Sequence, residues 1–368
     1  MERTLTDKAS GKTWSIQQDG NRIFTTGNGG KPKEKTFENP EQAAKHVQKE
    51  VWSRLKKGMV LLNPEADAGQ PVLHRYIGGG YTGSMPLAPV EDTNTFYCSY
   101  VVNQFEKEDV YLLDDQGETR KSYELPGGPM IFDMRFCPEL NVLLMNRDHQ
   151  IIGLSAGNGE VRAYTAVSRH PVSALALSGA SAVWYDDPHL VVYDLRADAV
   201  RYTRQVTPEL YGGHSPQLCA VLSPDGSRMA YCAQSDEIVI VDLATGREQP
   251  ISKAKQAMTA SMSFSPDGRY LFTQEEYGSW SLLAYDVAEP AKSEDWDLGE
   301  IKSYAIHTGK NLLAVYKYGK VRLYDLDTRE QTLVLDVEHV VKTCYLAFTK
   351  DCLAVYTDYG CVSLYALE

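Results

Sequence analysis

Short apolar, β-prone runs alternate with turn residues along most of this chain, and the stretch Gln217–Gly246 shows the pattern most clearly. Three such runs lie there, and Ser223-Pro224-Asp225-Gly226 predicts a tight turn between the first two. Proline presets φ, aspartate bonds its own backbone, and glycine accepts positive φ. Ser235-Asp236 and Ala244-Thr245-Gly246 mark two further turns. Three antiparallel strands in succession make a meander that cannot bury both of its faces, so a neighbour of the same kind must stack on it.

That neighbour follows directly, because Ser265-Pro266-Asp267-Gly268 repeats the turn and Asp286 repeats the strand ending at Asp242. The same ending recurs at Asp114, Ser155, Asp194, Asp242, Asp286, Asp325 and Ala366, with spacings of 41, 39, 48, 44, 39 and 41 residues. A period of about 40 to 45 residues with four short strands per unit predicts a propeller. In these marks the chain resembles the WD-repeat β-propellers in the broad sense, since none of its units carries the Gly-His and Trp-Asp pair of the strict repeat. Seven blades are expected, at 84–125, 130–166, 172–206, 217–252, 260–298, 302–335 and 342–367. The last has only three strands, so Pro71–Ile77 is expected to close the ring as its outer strand and leave no long unpaired edge.

The N-terminal sixth has a different pattern. Residues 1–10 read as polar and loose. Lys12–Gln17 and Asn21–Thr26 read as two strands joined by an Asp19-Gly20 hairpin turn, and a third strand follows at 31–37 beyond the glycine-rich Gly27-Asn28-Gly29-Gly30. Asn39 suits an N-cap, Pro40 the first helical position and Gly58 the stop, so 39–57 predicts a helix. Ala43, Ala44, Val47, Val51, Trp52 and Leu55 form its apolar face. This order of elements, with Trp14 in the first strand, Lys33–Phe37 in the third and Leu55–Gly58 closing the helix, resembles the WGR domain. The family's Trp-Gly-Arg triplet falls on Thr26-Gly27-Asn28, so only the glycine is kept. The resemblance implies a module that binds DNA in some members, through the tryptophan and arginine lacking here, and that accompanies multi-component systems in bacteria. The expected organisation is a WGR-like α+β domain at 1–62, a polar, proline-bounded linker at 63–71 and a mainly β propeller at 72–368.

Charge sharpens that division. Residues 1–58 hold twelve Lys and Arg against seven Asp and Glu, a net +5, and the remainder carries −17 of the total −12. Lys31, Lys33 and Lys35 alternate along one strand and share a face. With Asn28, Gly29, Gly30, Lys56 and Lys57 they form the candidate surface for an anionic or protein partner. The seven cysteines contain no Cys-x-x-Cys pair and sit mostly in apolar runs, which suits small buried thiols and a reducing compartment. No apolar run approaches the length of a membrane span and the N-terminus lacks a signal-peptide core, so a cytoplasmic location without membrane contact is expected.

Candidate chemistry is sparse. Eight histidines are scattered singly without zinc spacing, which predicts no metal. Asp186-Asp187 and Glu275-Glu276 are the compact carboxylate groups, and both read as solvated turns. Neither Gly78-Gly79-Gly80 nor Gly27–Gly30 joins a parallel strand to a helix, so no phosphate cradle and no cofactor are expected. Tyrosines near the strands, among them Tyr193, Tyr285, Tyr324 and Tyr365, are expected to pack between blades with the hydroxyl reaching a rim. The reading is a non-enzymatic protein-interaction platform, an accessory or scaffold subunit of a bacterial system. DNA or DNA-end sensing through the WGR-like module and a metal-dependent propeller hydrolase are the alternatives. Nucleic-acid binding is expected to be weak, because Thr26 and Asn28 supply neither stacking nor bidentate contacts.

Overall fold

A computed structural model describes the chain except for residues 1, 79–83, 103–106, 127–129, 148, 169–172, 212–214, 255–256 and 276–280. Glu276, His170, His214, Val172 and the pair Gly79-Gly80 therefore lie outside the described residues.

Glu2–Asp7 (β1), Thr13–Asp19 (β2), Arg22–Gly27 (β3) and Lys33–Thr36 (β4) are followed by the helix Pro40–Leu55 (α1), then Met59–Leu62 (β5) and Pro71–Tyr76 (β6). The helix begins as its sequence predicts. Asn39 Oδ1 accepts from the Gln42 N–H at 2.9 Å and Pro40 occupies the first turn. It ends at Gly58, whose φ of 88° suits glycine and would strain other residues. Ala43, Val47, Val51 and Leu55 are buried on the sheet with Leu5, Trp14, Ile16 and Ile23, and each such side chain contributes about 1.5–3 kcal/mol. Trp52, expected on that face, is only half-buried and turns toward the propeller.

The loose start expected at 1–10 is a correction. β1 pairs with β2 on one side and β5 on the other, and its burial alternates, with Arg3 and Leu5 inward and Glu2 and Thr4 outward. The period-2 signal was obscured because its first inward residue is an arginine.

Six four-stranded antiparallel sheets follow. Their first strands are Leu87–Pro89, Asp133–Cys137, Ser173–Ser178, Cys219–Leu222, Thr259–Phe264 and Ser303–His307. Five fall inside a blade range read from the repeat, and Thr259–Phe264 begins one residue before its range. The last three strands, Cys344–Phe348, Cys352–Thr357 and Cys361–Ala366, pair with β6, which also pairs with β5. The result is a nine-stranded sheet running through β6, β5, β1, β2 and β3 to β4. The seven separate blades expected are therefore six free-standing ones. β6 leaves no edge at the final unit, because it is shared with the N-terminal sheet. Cys344–Phe348 lies between the first strands Ser303–His307 and Leu87–Pro89, so the ring is closed through that large sheet.

The stretch 63–71, read as a linker, is the connection between neighbouring antiparallel strands β5 and β6 and is itself anchored. The Gly69 N–H donates to Ala366 O at 2.9 Å and the Ala366 N–H to Gln70 O at 3.1 Å. Blade six and α1 share one face of the large sheet, which carries Tyr365, Cys361, Leu61 and Leu5. Blade one covers the opposite face through Val60, Leu73, Val362 and Leu364.

Between the blades, an aspartate at the end of the third strand caps the following turn. Asp242 Oδ1 accepts from the N–H groups of Ala244 and Thr245, and Asp194, Asp286 and Asp325 do the same in their blades. The hydroxyl positions of the tyrosines follow the expected rule in part. Tyr285 and Tyr365 are fully buried, and their oxygens accept from the N–H groups of Ala254 and Glu338 in inter-blade loops. All seven cysteines are free thiols and only Cys219 is not fully buried.

Candidate partner-binding face

In a four-stranded meander the loops joining strands two to three, and one blade to the next, emerge on one face of the ring. The other loops emerge on the opposite face. Nine large apolar residues are exposed among the described residues. Phe132, Val167, Tyr318, Val341 and Tyr359 lie in loops of the first face, Leu210 lies in the short strand Glu209–Tyr211 of a two-stranded connection between blades on that face, and Val161, Val200 and Val334 lie on outermost strands. None lies in a loop of the opposite face, where the aspartate-capped and Ser-Pro-Asp-Gly turns sit. Ser223 Oγ donates to Asp225 Oδ1 at 2.6 Å and Ser265 Oγ to Asp267 Oδ1 at 2.5 Å. Hydrogen bonds from Ser223 and Ser227 hold the Asp225 carboxyl down at about 2. One face is thus built of closed polar turns and the other presents apolar side chains. An apolar residue between two strand runs was the sequence signal for these six, and it was not used.

The predicted basic residues lie on two elements. Asn28, Gly29, Gly30, Lys31, Lys33 and Lys35 are exposed at the free edge of the large sheet, where β4 ends the strand order. Lys35 lies over the Phe37 ring at 4.9 Å. Lys56 and Lys57 follow the C-terminal end of the 16-residue α1, where Arg54 lies over the Trp14 ring at 4.9 Å and Trp14 pairs with Gly27 at the start of the glycine-rich loop. At this helix end Trp52 stacks on Tyr359 at 4.5 Å and on His339 at 5.1 Å, with Lys56 over its ring at 5.7 Å. That end of the helix belongs to the apolar face of the ring.

Beneath it lies a buried charged joint. Arg3 makes a bidentate ion pair with Glu338, and the Glu338 carboxylate is also 3.4 Å from His74 Nε2 and 3.8 Å from His339 Nε2. Ser363 Oγ, 2.7 Å from His74 Nδ1, orients that ring. Histidines expected to be scattered are here brought together with a carboxylate, a donor set whose atoms lie within 4.8 Å of one another. Such a set would suit a cation, but both carboxylate oxygens face the Arg3 guanidinium, which supplies the positive charge itself. The geometry is that of a latch between β1, β6 and the loop after blade six.

Burial pushes the His339 imidazole down to about 3, reinforced by His74 and Arg3 nearby. Burial alone would raise the Glu338 carboxyl, but its contacts with His74 and Arg3 outweigh that and hold it well below the usual range. The two shifts act in the same direction. Between about pH 6.5 and 3 the unfolded chain takes up a proton that folded His339 refuses, and below about pH 4.5 it takes up another that folded Glu338 refuses. Unfolding free energy should therefore fall on acidification below pH 6.5, by up to about 1.4 kcal/mol per pH unit for the first proton. His339→Asn, which keeps a residue tolerant of the φ of 56°, should flatten the limb between pH 6.5 and 4.5. Urea denaturation across that range checks both, and equal wild-type stability at pH 7.5 and 5 would contradict the assignment.

The carboxylate pairs separate in the same way. Asp186 and Asp187 end a strand and enter an exposed turn, with Tyr185 Oη donating to Asp187 at 2.7 Å. Glu275 corrects the expectation of a solvated turn, since it is fully buried and paired with Lys253 Nζ at 2.7 Å. In the ring's axial channel Arg135 is held by Asp133 on its own strand and reaches Tyr345 Oη on a non-adjacent blade at 3.1 Å. Tyr304 bonds Ser261 and Ser263 there. The carboxylate at this point of the channel is already engaged by a guanidinium.

No protein-family model matches the chain and no curated protein matches it. Among solved structures, a chain of the crystal structure of a mitotic checkpoint complex matches with a TM-score of 0.63 at 13% identity, covering 83% of this chain and 98% of that one. As many as 1577 solved chains match, so the likeness establishes a fold and leaves the function to be argued from the site. The chain is a mainly β protein with a propeller architecture.

Proposed function

We propose that this protein is a non-enzymatic interaction platform whose ring binds another protein through the face carrying Phe132, Val167, Leu210, Tyr318, Val341 and Tyr359. The observation that carries this reading is the segregation itself: among the described residues, every exposed large apolar side chain outside the blade strands falls on one face. A rigid ring with variable loops suits binding and supplies no chemistry of its own. The last three strands with β6 are read as a seventh blade, and β1–β5 with α1 as a WGR-like module fused to it edge to edge. An accessory role in a cytoplasmic, bacterial assembly follows from that resemblance. No helix among the described residues is long and apolar enough to cross a membrane.

The test is affinity purification of the full chain at endogenous level, beside a variant carrying Phe132→Ser, Val167→Ser and Leu210→Ser. A stoichiometric protein partner lost at least ten-fold from the variant is the expected result. A protein that elutes alone, while extracts show a reaction depending on it, would replace this reading with the enzymatic one.

The DNA alternative has one observation in its favour, the exposed Lys31, Lys33 and Lys35 on the free sheet edge. Against it stands the −17 carried by the rest of the chain. Fluorescence anisotropy with a blunt duplex at about 0.15 M salt should show only weak, salt-sensitive binding. Tight binding to the end, abolished by Lys31→Glu, Lys33→Glu and Lys35→Glu together, would restore the DNA-end-sensing reading.

A further inference from the structure

One sector of the apolar face has a composition of its own. Tyr318 occupies the first turn position between Leu312–Lys317 and Lys320–Asp325, with φ of 49° and Gly319 beside it at 77°. Two consecutive positive φ values make this a type I′ hairpin turn, where asparagine, aspartate or glycine is the ordinary occupant. A bulky aromatic there is an outlier. It is also 70% exposed, held only by its hydroxyl donating to Glu300 Oε2 at 3.0 Å and by Lys317 over its ring among the contacts of the described residues.

From Tyr318 the surface runs without a break onto the N-terminal helix. The Val337 N–H donates to Gly319 O at 2.7 Å. The loop continues to Val341, which is 61% exposed, and the N–H groups of Val341, Lys342 and Thr343 all donate to Asp358. Tyr359 comes next, and Trp52 of α1 stacks on it. The ridge is therefore Tyr318, Val341, Tyr359 and Trp52, drawn from both parts of the chain.

The acids along it are engaged by groups of the chain: Asp358 by three backbone N–H groups, Glu338 by the buried Arg3, and Glu300 by Lys302 and the Tyr318 hydroxyl. Lys342, Lys56 and Lys57 are exposed and make no ion pair among the described residues, and Lys317 lies over the Tyr318 ring at 5.5 Å. An acidic chain has thus gathered lysines around its exposed aromatics.

Resting on the platform reading, we infer that this ridge is the docking site for an acidic peptide segment of the partner carrying one or two aromatic or aliphatic anchors. The anchors would pack on Tyr318, Val341 and Tyr359, and its carboxylates would face Lys342, Lys56 and Lys57. Aromatic anchors ringed by charge are how such contacts concentrate their energy.

The experiment is a random 12-residue peptide display selection on the full-length protein, with two counter-selections. One uses Tyr318→Asn, Val341→Ser and Lys342→Glu together, the other Phe132→Ser, Val167→Ser and Leu210→Ser. Enriched peptides should be net negative with an aromatic or aliphatic anchor. Resynthesised, they should bind wild type at least ten-fold more tightly than the first variant by anisotropy, and lose affinity with salt. Tyr318→Asn alone should not lower the thermal midpoint, since asparagine suits the turn, so weaker binding by it cannot be ascribed to unfolding. Peptides that are neutral or basic, or that bind the first variant equally, overturn the proposal. Displacement of every selected peptide by a single-stranded DNA 30-mer that binds more tightly at the same lysines also overturns it, in favour of a nucleic acid. If enrichment depends only on the second set, the face is a platform and the assignment to this ridge fails; dependence on neither set overturns both readings.

Discussion

Glu338→Gln is expected to lower the free energy of unfolding by about 3–5 kcal/mol, measured by equilibrium urea denaturation at pH 7.5. The reason is the asymmetry of buried ion pairs. Arg3 and Glu338 are both more than nine-tenths buried, and with the carboxylate neutralised the guanidinium keeps its charge in a site closed by β1, α1 and the loop after blade six. The amide cannot accept two bonds from it on both arms. The cost is that of an uncompensated charge, so removing both partners should be milder. Arg3→Met with Glu338→Leu is expected to recover at least half of the loss, and a double-mutant cycle over the four proteins isolates the coupling. Because β5, β1 and β6 belong to one continuous sheet, the loss should appear as one transition moved to lower urea. An early, separate unfolding of the first sixty residues would show that the latch joins two independent units.

What could be read in the sequence was what is local. The blade ranges emerge because each third strand ends in a residue with a backbone job, and an aspartate two or three positions before its hydrogen-bond donors can be seen in any thirty-residue window. Helix α1 was legible for the same reason, through Asn39, Pro40 and Gly58. What was not legible depends on pairing across distance. His74 and His339 are adjacent only because β6 returns to the last strand, and no spacing rule connects them. The same return joins the closing strands to β5 across the stretch read as a linker. Burial also changed chemistry unannounced: Arg3 reads as a polar terminal residue until its partner at 338 is known, and Glu275 as half of a solvated pair until Lys253 is known. The basic set divides between β4 with the loop before it and the end of α1, and how near these come depends on the way the helix crosses the sheet. Tyr318 was within reach, because an aromatic preceding glycine between two strand runs is the wrong residue for that turn, and that mismatch could have been seen in the sequence.

Lys253→Met is expected to cost about as much as the change at Glu338, about 3–5 kcal/mol, at the seam between the fourth and fifth blades. Lys253 follows the outer strand Glu248–Ser252 of one blade, and Glu275 ends the second strand, Tyr270–Glu275, of the next. Both side chains have no exposed surface. The ammonium donates to Thr259 Oγ1 at 2.8 Å and to the carbonyl of Ala257, and it forms an ion pair with Glu275 Oε2 at 2.7 Å. Methionine fills the same stem but leaves a carboxylate in an apolar seam, with the Thr273 hydroxyl at 2.7 Å as a neutral donor beside it. Adding Glu275→Leu should restore much of the stability, since an apolar pair of similar volume requires no compensation. The comparison separates two roles for the pair. If the double variant regains stability and still binds the platform's partner, the ion pair is a bolt between blades. If it regains stability but loses the partner, the pair also sets the loops above it on the apolar face, where Lys253 and Glu275 both lie at strand ends. Recovery of neither would mean that the surrounding hydroxyls of Thr259 and Thr273, and the thiol of Cys232 donating to Thr259 at 3.3 Å, have become the unpaired groups and must be replaced together with the charges.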